Sequence, residues 1–216
     1  MQLTLFVMSY AEKQLQIIEA AEKLFSIKGF DGASIRDIAE EAGVNLAMIS
    51  YYFGSKEKLM EAIFEQRMGQ VRMRVESMLK DDSLAPFQKM EMLIEENIDR
   101  IMQRQQFHKI MVCEQIINKN PIIIKLVNEL KKKNAEVIGE LVKDGQKKGV
   151  FKKDIDVVLL LNTFFGTLTQ AMINKDYYRN TVRIEFLSDT DFETYLKKRL
   201  SKHLKLVFKA ILTYEE

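Results

Sequence analysis

Residues 45–58 read NLAMISYYFGSKEK, and this stretch decides how the N-terminal part of the chain is organised. Three aromatic residues, Tyr51, Tyr52 and Phe53, stand in succession before a glycine and a serine. Successive residues of an α-helix point about 100° apart, so the three rings cannot all face one core. No charged residue occurs from Asn45 to Ser55, although an exposed helix normally carries charge. The stretch therefore predicts a short helix, residues 46–52, that presents an uncharged face outward.

Two further helices precede this one. A stripe of five apolar residues predicts a helix over 11–28: Ile17, Ile18, Ala21, Leu24 and Phe25. Gly29 followed by Phe30 predicts the end of that helix. Ser34 and Asp37 have the spacing of a capping box, which predicts a second helix over 35–42, and Asn45 can cap the third. Two short helices joined by a glycine-containing turn have the outline of a helix-turn-helix.

The rest of the chain keeps a helical pattern to its end. We predict helices over about 56–80, 86–105, 107–117, 121–148, 156–173 and 191–213, and a polar, irregular stretch over 174–190 with room for a short helix. Residues 156–173 are apolar nearly all round, which predicts a helix buried on more than one side. The predicted fold is all-α, with a three-helix helix-turn-helix domain over residues 10–58 and a second helical domain over residues 59–216.

Composition limits the class of protein. The chain has 216 residues, of which 47% are hydrophobic and 30% charged, an ordinary balance for a folded globular protein. Cys113 is the one cysteine, which excludes an intramolecular disulfide and a zinc-cysteine cluster and fits a reducing cytoplasm. No apolar run is long enough to span a membrane, so we expect a cytoplasmic protein. The opening residues are a poor signal peptide, and Met8 could be the true start, leaving residues 1–7 non-native.

Net charge gives little support to a broad nucleic-acid interface. The formal charge is +2, and the first 60 residues hold six Lys or Arg against eight Asp or Glu. Any nucleic-acid contact must therefore be local. This acidic balance also supports an alternative function, a helical ligand-binding or interaction module without DNA affinity.

The stretch IIEAAEKLFSIKGFDGASIRDIAEEAGVNLAMISYYFGSKEKL resembles the N-terminal domain of the tetracycline-repressor (TetR) family of bacterial transcription regulators. The order of its pieces carries the resemblance: a helix, a GF turn, SIRDIA, AGV, a short helix ending YYF, then SKEKL. The remaining residues match the family only as an all-helical ligand-binding and dimerisation domain. The resemblance implies a homodimer that binds a near-palindromic double-stranded DNA operator, most commonly as a repressor released by a small molecule.

The resemblance also implies which residues meet DNA. Ile49 and Phe53 are expected to face the core, while phosphate contacts come from the two tyrosines and from a lysine at the start of the next helix. Base contacts are expected from residues on the outer face of the third helix. The implied DNA-binding set is Ser34, Arg36, Asn45, Leu46, Ala47, Ser50, Tyr51, Tyr52 and Lys56. The family often has threonine at the position of Met48 and tyrosine at that of Ser50, so the operator sequence does not follow. Other interpretations stay open: Leu46 in the core, Arg36 paired with Glu40, and Lys58 as plain surface.

The second domain offers an effector site but no chemistry. No catalytic set, cofactor motif or metal cluster stands out, so we expect neither an enzyme nor a cofactor, and His108 and His203 are interpreted as ordinary surface or core histidines. A small-molecule effector, apolar or amphipathic, is expected between helices, although the same residues could form a closed core. The candidate ligand-binding residues are Phe107, Met111, Cys113, Glu114, Asn162, Phe164, Phe165, Thr169 and Met172. The helices 156–173 and 191–213 are predicted to pack against their copies in the dimer.

Overall fold

The structure is a computed structural model that describes residues 11–79, 81–117 and 119–214, with the backbone alone over 68–77. Every regular element in these ranges is an α-helix, which confirms the all-α prediction. Residues 1–7, Met8 and the predicted start of the first domain at residue 10 lie outside the described residues. The described helices are α1 Glu12–Gly32, α2 Ile35–Glu41, α3 Leu46–Phe53, α4 Lys56–Leu79, α5 Pro86–Gln103, α6 Gln105–Ile117, α7 Pro121–Lys147, α8 Val157–Ile173, α9 Lys175–Val182 and α10 Asp189–Leu212.

The helix boundaries follow the capping signals. Ser34 and Asp37 exchange both bonds of the capping box, at 3.0 Å from the Asp37 N–H to the Ser34 hydroxyl and 3.1 Å from the Ser34 N–H to the Asp37 carboxylate. The Asn45 side-chain oxygen accepts from the Ala47 N–H at 2.9 Å. Because each side chain satisfies a backbone donor that the first helical turn leaves open, these residues fix where α2 and α3 begin.

The end of α1 differs from the prediction. Gly29 does interrupt α1, with φ 73° and ψ 168°, but one more helical turn follows it and the element ends at Gly32. A positive φ costs glycine little and any other residue more, which is why the break falls there. The stretch 174–190, predicted as irregular with room for a short helix, contains α9, which is followed by Arg183 in the left-handed conformation.

The chain forms two compact units. Of the described residues, one unit takes those up to Ser77 together with Arg104–Lys131, and the other takes Met78–Gln103 and those from Lys132 to residue 214. The first unit therefore contains α1, α2, α3 and α6 with most of α4 and the start of α7. The functional boundary predicted between residues 58 and 59 falls inside α4 and stays a prediction.

The first unit is held together by an apolar core to which each of its helices contributes. Helix α1 packs on α2 and α6, and α2 packs on α3. Full burial of one aliphatic side chain stabilises a fold by about 1.5–3 kcal/mol, so this core is the main favourable contribution to the packing of these helices. Its residues that are at most 2% exposed include Ile17, Ile18, Ala21, Phe25, Ile38, Ile49, Leu59, Met60, Ile63 and Ile110.

The second unit is built on the pairing of α5 with α10, with α8 also packed on α10. Buried leucine, isoleucine and phenylalanine side chains line both helices, and the Lys197–Asp99 ion pair, 2.7 Å long, crosses between them. After α7 the chain turns sharply, so that the fully buried Phe151 ring lies directly on Gly145. A side chain at Gly145 would occupy the space that this ring fills.

Helix α8 is less buried than its composition predicts. Only Leu160, Phe164 and Leu168 are buried along it, whereas Val158 and Leu159 are 60% and 62% exposed. The prediction that α8 is buried on more than one side is wrong for the single chain, because only one of its apolar faces packs within the second unit. Among the described helices, none alone is long and apolar enough to cross a membrane; α8 and α9 together meet that test but are bent by 78°.

Candidate DNA-binding surface

Helix α3 is anchored by one face and exposed on the other. Ile49 is 1% exposed and belongs to the core of the first unit, whereas Leu46 is 44% exposed and Tyr51 83% exposed. Ala47 and Ser50 are exposed as well. The alternative that placed Leu46 in the core is therefore wrong. We call the exposed side of α2 and α3 the reading surface, made of Ser34, Arg36, Asn45, Leu46, Ala47, Ser50 and Tyr51.

The three successive aromatic rings take three environments. Tyr51 points outward, while Tyr52 and Phe53 are half-buried and pack against the core. The Tyr51 and Tyr52 rings meet edge to face with centroids 5.2 Å apart, and Tyr52 meets Phe53 at 6.4 Å. Such contacts favour a fixed orientation of each ring. Tyr52 therefore packs against the core on one side and is accessible to solvent on the other, and its phosphate contact stays a prediction.

The start of α2 presents the Ser34 hydroxyl and the Arg36 guanidinium. The Ser34 hydroxyl accepts the cap bond from the Asp37 N–H, and its own O–H can turn either to the Asp37 carboxylate or outward to a phosphate. Arg36 is exposed and makes no ion pair with any described residue, so the alternative pairing with Glu40 is not formed. The Ser34 N–H and hydroxyl, with the Lys28 ammonium at 3.2 Å, hold the pKa of the Asp37 carboxyl below its ordinary value.

Lys56 is already engaged inside the protein. Its ammonium donates to the carbonyl oxygens of Phe30 at 2.8 Å and Ala33 at 3.1 Å, and lies 4.4 Å from the centroid of the Phe30 ring. An ammonium has three donors, so one remains for a phosphate. The family resemblance implied the phosphate contact of Lys56. The sequence did not indicate its contacts with the two carbonyl groups, because these depend on the break in α1 at Gly29.

Ion pairs offset part of the acidic excess of the N-terminal region. Three of its carboxylates lie in ion pairs: Lys23–Glu41 at 2.6 Å, Lys28–Asp37 at 3.2 Å and Arg67–Glu22 at 2.6 Å. Because pairing offsets these charges locally and α3 itself carries none, an approaching phosphate meets an uncharged helix flanked by Arg36 and Lys56.

The predicted effector residues divide between the two units. In the first unit, Phe107 is buried with its ring 5.0 Å from that of Phe64, Met111 and Cys113 are half-buried, and the buried Glu114 accepts from the Phe30 N–H at 3.3 Å. The other predicted residues belong to α8 in the second unit. There Phe164 is buried against Phe165 and Phe208, Phe165, Thr169 and Met172 are half-buried, and Asn162 is exposed.

A cavity in the second unit has a different lining from the predicted pocket. It measures about 490 Å³ and lies between α5 and α10. None of the predicted effector residues line it; its walls are Glu95, Ile98, Asp99, Lys197, Lys198, Ser201, Lys202 and Lys205. The two acidic residues are paired with Lys197 and Lys205, so the cavity is a polar groove rather than an apolar pocket.

Known families match nearly the whole described chain. Residues 17–63 match the model of the bacterial regulatory proteins of the tetR family, and residues 64–207 match that of the C-terminal region of YsiA-like proteins. The chain is 26% identical to the fatty acid metabolism regulator protein of Bacillus subtilis over 162 residues, covering 74% of this chain and 81% of that protein. It is 32% identical to the HTH-type transcriptional repressor NicS of Pseudomonas putida over 142 residues, covering 64% of this chain and 66% of that protein.

Solved structures share the fold. The transcriptional regulator FadR from Bacillus subtilis in complex with stearoyl-CoA aligns with a TM-score of 0.65 and 22% identity, covering 88% of this chain and 96% of that one. The ketosteroid transcriptional regulator KstR2 of Mycobacterium tuberculosis aligns with a TM-score of 0.67 and 19% identity, covering 96% and 98%. The two family models together account for both halves of the sequence. The chain belongs to the tetR family of bacterial regulatory proteins.

Proposed function

We propose that this regulator is a ligand-released repressor that binds a near-palindromic operator through the reading surface. The observation that carries the proposal is the exposed, uncharged outer face of α3, set between Arg36, which pairs with no residue that the structure describes, and the ammonium of Lys56. A recognition helix needs such a face, because base edges are read by hydrogen bonds and apolar contacts, and carboxylates there would repel phosphates.

Each residue has a role that fits its surroundings. Leu46 and Ala47 contact thymine methyl groups, Ser50 donates or accepts at base edges, and Asn45 donates through its side-chain NH₂ group. Ser34, Arg36, Tyr51 and Tyr52 hold the phosphate backbone and set the register. Lys56 offers its remaining donor to a phosphate at the N-terminus of α4, where the helix dipole also attracts an anion.

The operator is read by two copies of the chain. The exposed apolar side chains of α8 and α10, Val158, Leu159 and Leu206 among them, are 58–62% exposed in the single chain. We propose that they pack against the same helices of a second copy, which forms an isologous dimer. Two copies related by a twofold axis place their α3 helices in successive major grooves, with half-site centres about 34–36 Å apart or somewhat more.

The effector we propose is amphipathic, with a long acyl chain. Two of the relatives are a fatty acid metabolism regulator and a FadR bound to stearoyl-CoA, which makes long-chain acyl thioesters the first compounds to test. The candidate contacts fall in separate units and are proposed as alternatives: Phe107 and Met111 on α6, or Phe165, Thr169 and Met172 on α8. Glu114 is left out of this set because it is bonded to Phe30.

The test is selection of bound fragments from the host genome, followed by titration of the enriched sequence with wild type and with a Ser50→Ala, Arg36→Ala variant. The proposal expects an enriched near-palindrome, loss of binding in the variant, and release by a compound from an acyl thioester panel. Enrichment of no sequence, with only weak salt-sensitive binding, supports the module without specific DNA affinity instead. Separate Met111→Ala and Phe165→Ala variants then show which helix contacts the releasing compound.

A further inference from the structure

The backbone of Phe30 is held by two other helices at once. The break at Gly29 releases the Phe30 N–H from the ladder of α1, and this N–H donates to the Glu114 carboxylate of α6 at 3.3 Å. On its other side, the Phe30 carbonyl accepts from Lys56 at 2.8 Å. A single residue in the last turn of α1 is therefore attached both to α6 and to the first residue of α4.

Glu114 is an unusual choice for its place. It is 6% exposed on a helix that packs closely on α1, where an apolar side chain would be the ordinary choice. Burying a carboxylate is costly unless it is paired or well hydrogen-bonded. A backbone N–H at 3.3 Å lies at the long end of the hydrogen-bond range and offsets only part of that cost. Packing does not explain a carboxylate at this position, so the role of Glu114 lies in its bond to the Phe30 N–H.

Phe30, the residue that Glu114 binds, is close in sequence to Ser34 of the reading surface. Three residues lie between Phe30 and Ser34, which caps α2. One of them, the fully buried Ala33, also has its carbonyl bound by Lys56. Lys56 in turn follows the end of α3 by three residues. The segment 29–34 thus has fixed attachments to α6, and to the corner that joins α3 to α4.

We propose that Glu114 is a positioning residue that sets the geometry of the reading surface through the Phe30 N–H. Displacement of α6 would draw Phe30 with it, shifting Ser34 and Arg36 relative to α3 and weakening operator binding. This proposal rests on the proposed function, because it names the contact through which an effector lying against α6 lowers DNA affinity. The coupling needs no contact between effector and DNA-binding residues, only a difference in the position of α6 between two states.

The experiment compares two kinds of substitution at Glu114 in the full-length protein. Glu114→Leu and Glu114→Ala both remove the acceptor, the first filling similar volume and the second leaving space. Glu114→Gln keeps an oxygen that can accept the same bond. Ile110→Val, one turn earlier on α6 and 1% exposed, is the control for a small loss of core packing. The readouts are hydrogen exchange of the segment 28–34 by mass spectrometry and affinity for the selected operator.

We expect both acceptor-free variants to exchange the Phe30 amide faster and to bind operator about tenfold more weakly, the effect of losing one hydrogen bond to a charged group. Glu114→Gln should stay within about threefold of wild type, and Ile110→Val should change neither readout. Operator affinity unchanged or tightened in the acceptor-free variants, with wild type binding normally, overturns the inference while the regulator function stands. Equal losses in Glu114→Gln and Glu114→Leu overturn it too. If wild type selects no DNA, the proposed function fails with it.

Discussion

Lys56→Met separates the structural role of this lysine from its predicted role at DNA. The substitution keeps an apolar stem but removes the ammonium that binds the Phe30 and Ala33 carbonyls at 2.8 and 3.1 Å. A hydrogen bond to a charged group contributes about 1.5–3 kcal/mol, and a cation above a ring adds about 0.5–1 kcal/mol. Because one partly buried ammonium makes all these contacts, their contributions do not add fully. We expect a loss of about 2–4 kcal/mol in the free energy of unfolding.

For a chain of this length, that loss corresponds to a decrease in Tm of roughly 5–15 °C, measured by scanning calorimetry. Lys58→Met is the matched control, since Lys58 is exposed and pairs only with Glu61 on the surface at 2.7 Å, a contact expected to contribute under about 1 kcal/mol. Operator titrations over a range of salt then test the third donor: a lost phosphate contact makes the salt slope shallower by about one unit. A Tm within about 1 °C of wild type for Lys56→Met would refute the carbonyl contacts.

Four further outcomes are expected. Gly145→Ala forces a methyl group into the Phe151 ring and should cost about 1–3 kcal/mol in denaturant unfolding; an unchanged midpoint would contradict the packing of this turn. Burial lowers the pKa of His108 below 6.5, so the unfolded state takes up a proton first and stability falls as pH drops through 6.5; this fall should be smaller in His108→Gln. Leu159→Asp, on the exposed face of α8, should convert the dimer to a monomer in light scattering, and a monomeric wild type would exclude the interface. Ser50→Ala should change which sequence is selected more than it changes affinity for non-specific DNA, and an identical selected sequence would remove Ser50 from the base readers.

Local signals made most of the fold predictable. The caps at Ser34 and Asn45 each bind a backbone donor within three residues, so the helix start can be predicted from a few neighbouring positions. The apolar stripe of α1 likewise predicts its buried face, because the helical period alone decides which residues share a side. The exposed face of α3 followed from the same reasoning and from the absence of charge over residues 45–55.

Contacts between distant residues were not predictable in this way. The Glu114–Phe30 bond joins residues 84 positions apart, and the Lys56–Phe30 bond joins residues 26 apart. Neither bond is reflected in a periodic pattern of the sequence, because each depends on where the break at Gly29 places a single backbone group. The exposure of α8 was not predicted for another reason. Composition shows that a helix has apolar side chains on several faces, but not whether those faces pack against its own chain.

Because Asn45 caps α3, its side chain has fewer hydrogen-bonding groups left with which to recognise a base. An asparagine that recognises adenine uses both ends of its amide, accepting from the adenine amino group while donating to N7. Here the side-chain oxygen is directed at the Ala47 N–H at 2.9 Å, so only the NH₂ group is free to face outward. That group can donate to guanine O6 or N7, to adenine N7, to thymine O4 or to a phosphate, but with the oxygen engaged it does not form the two-point contact with adenine. The operator position beneath Asn45 should therefore show no preference for adenine over guanine.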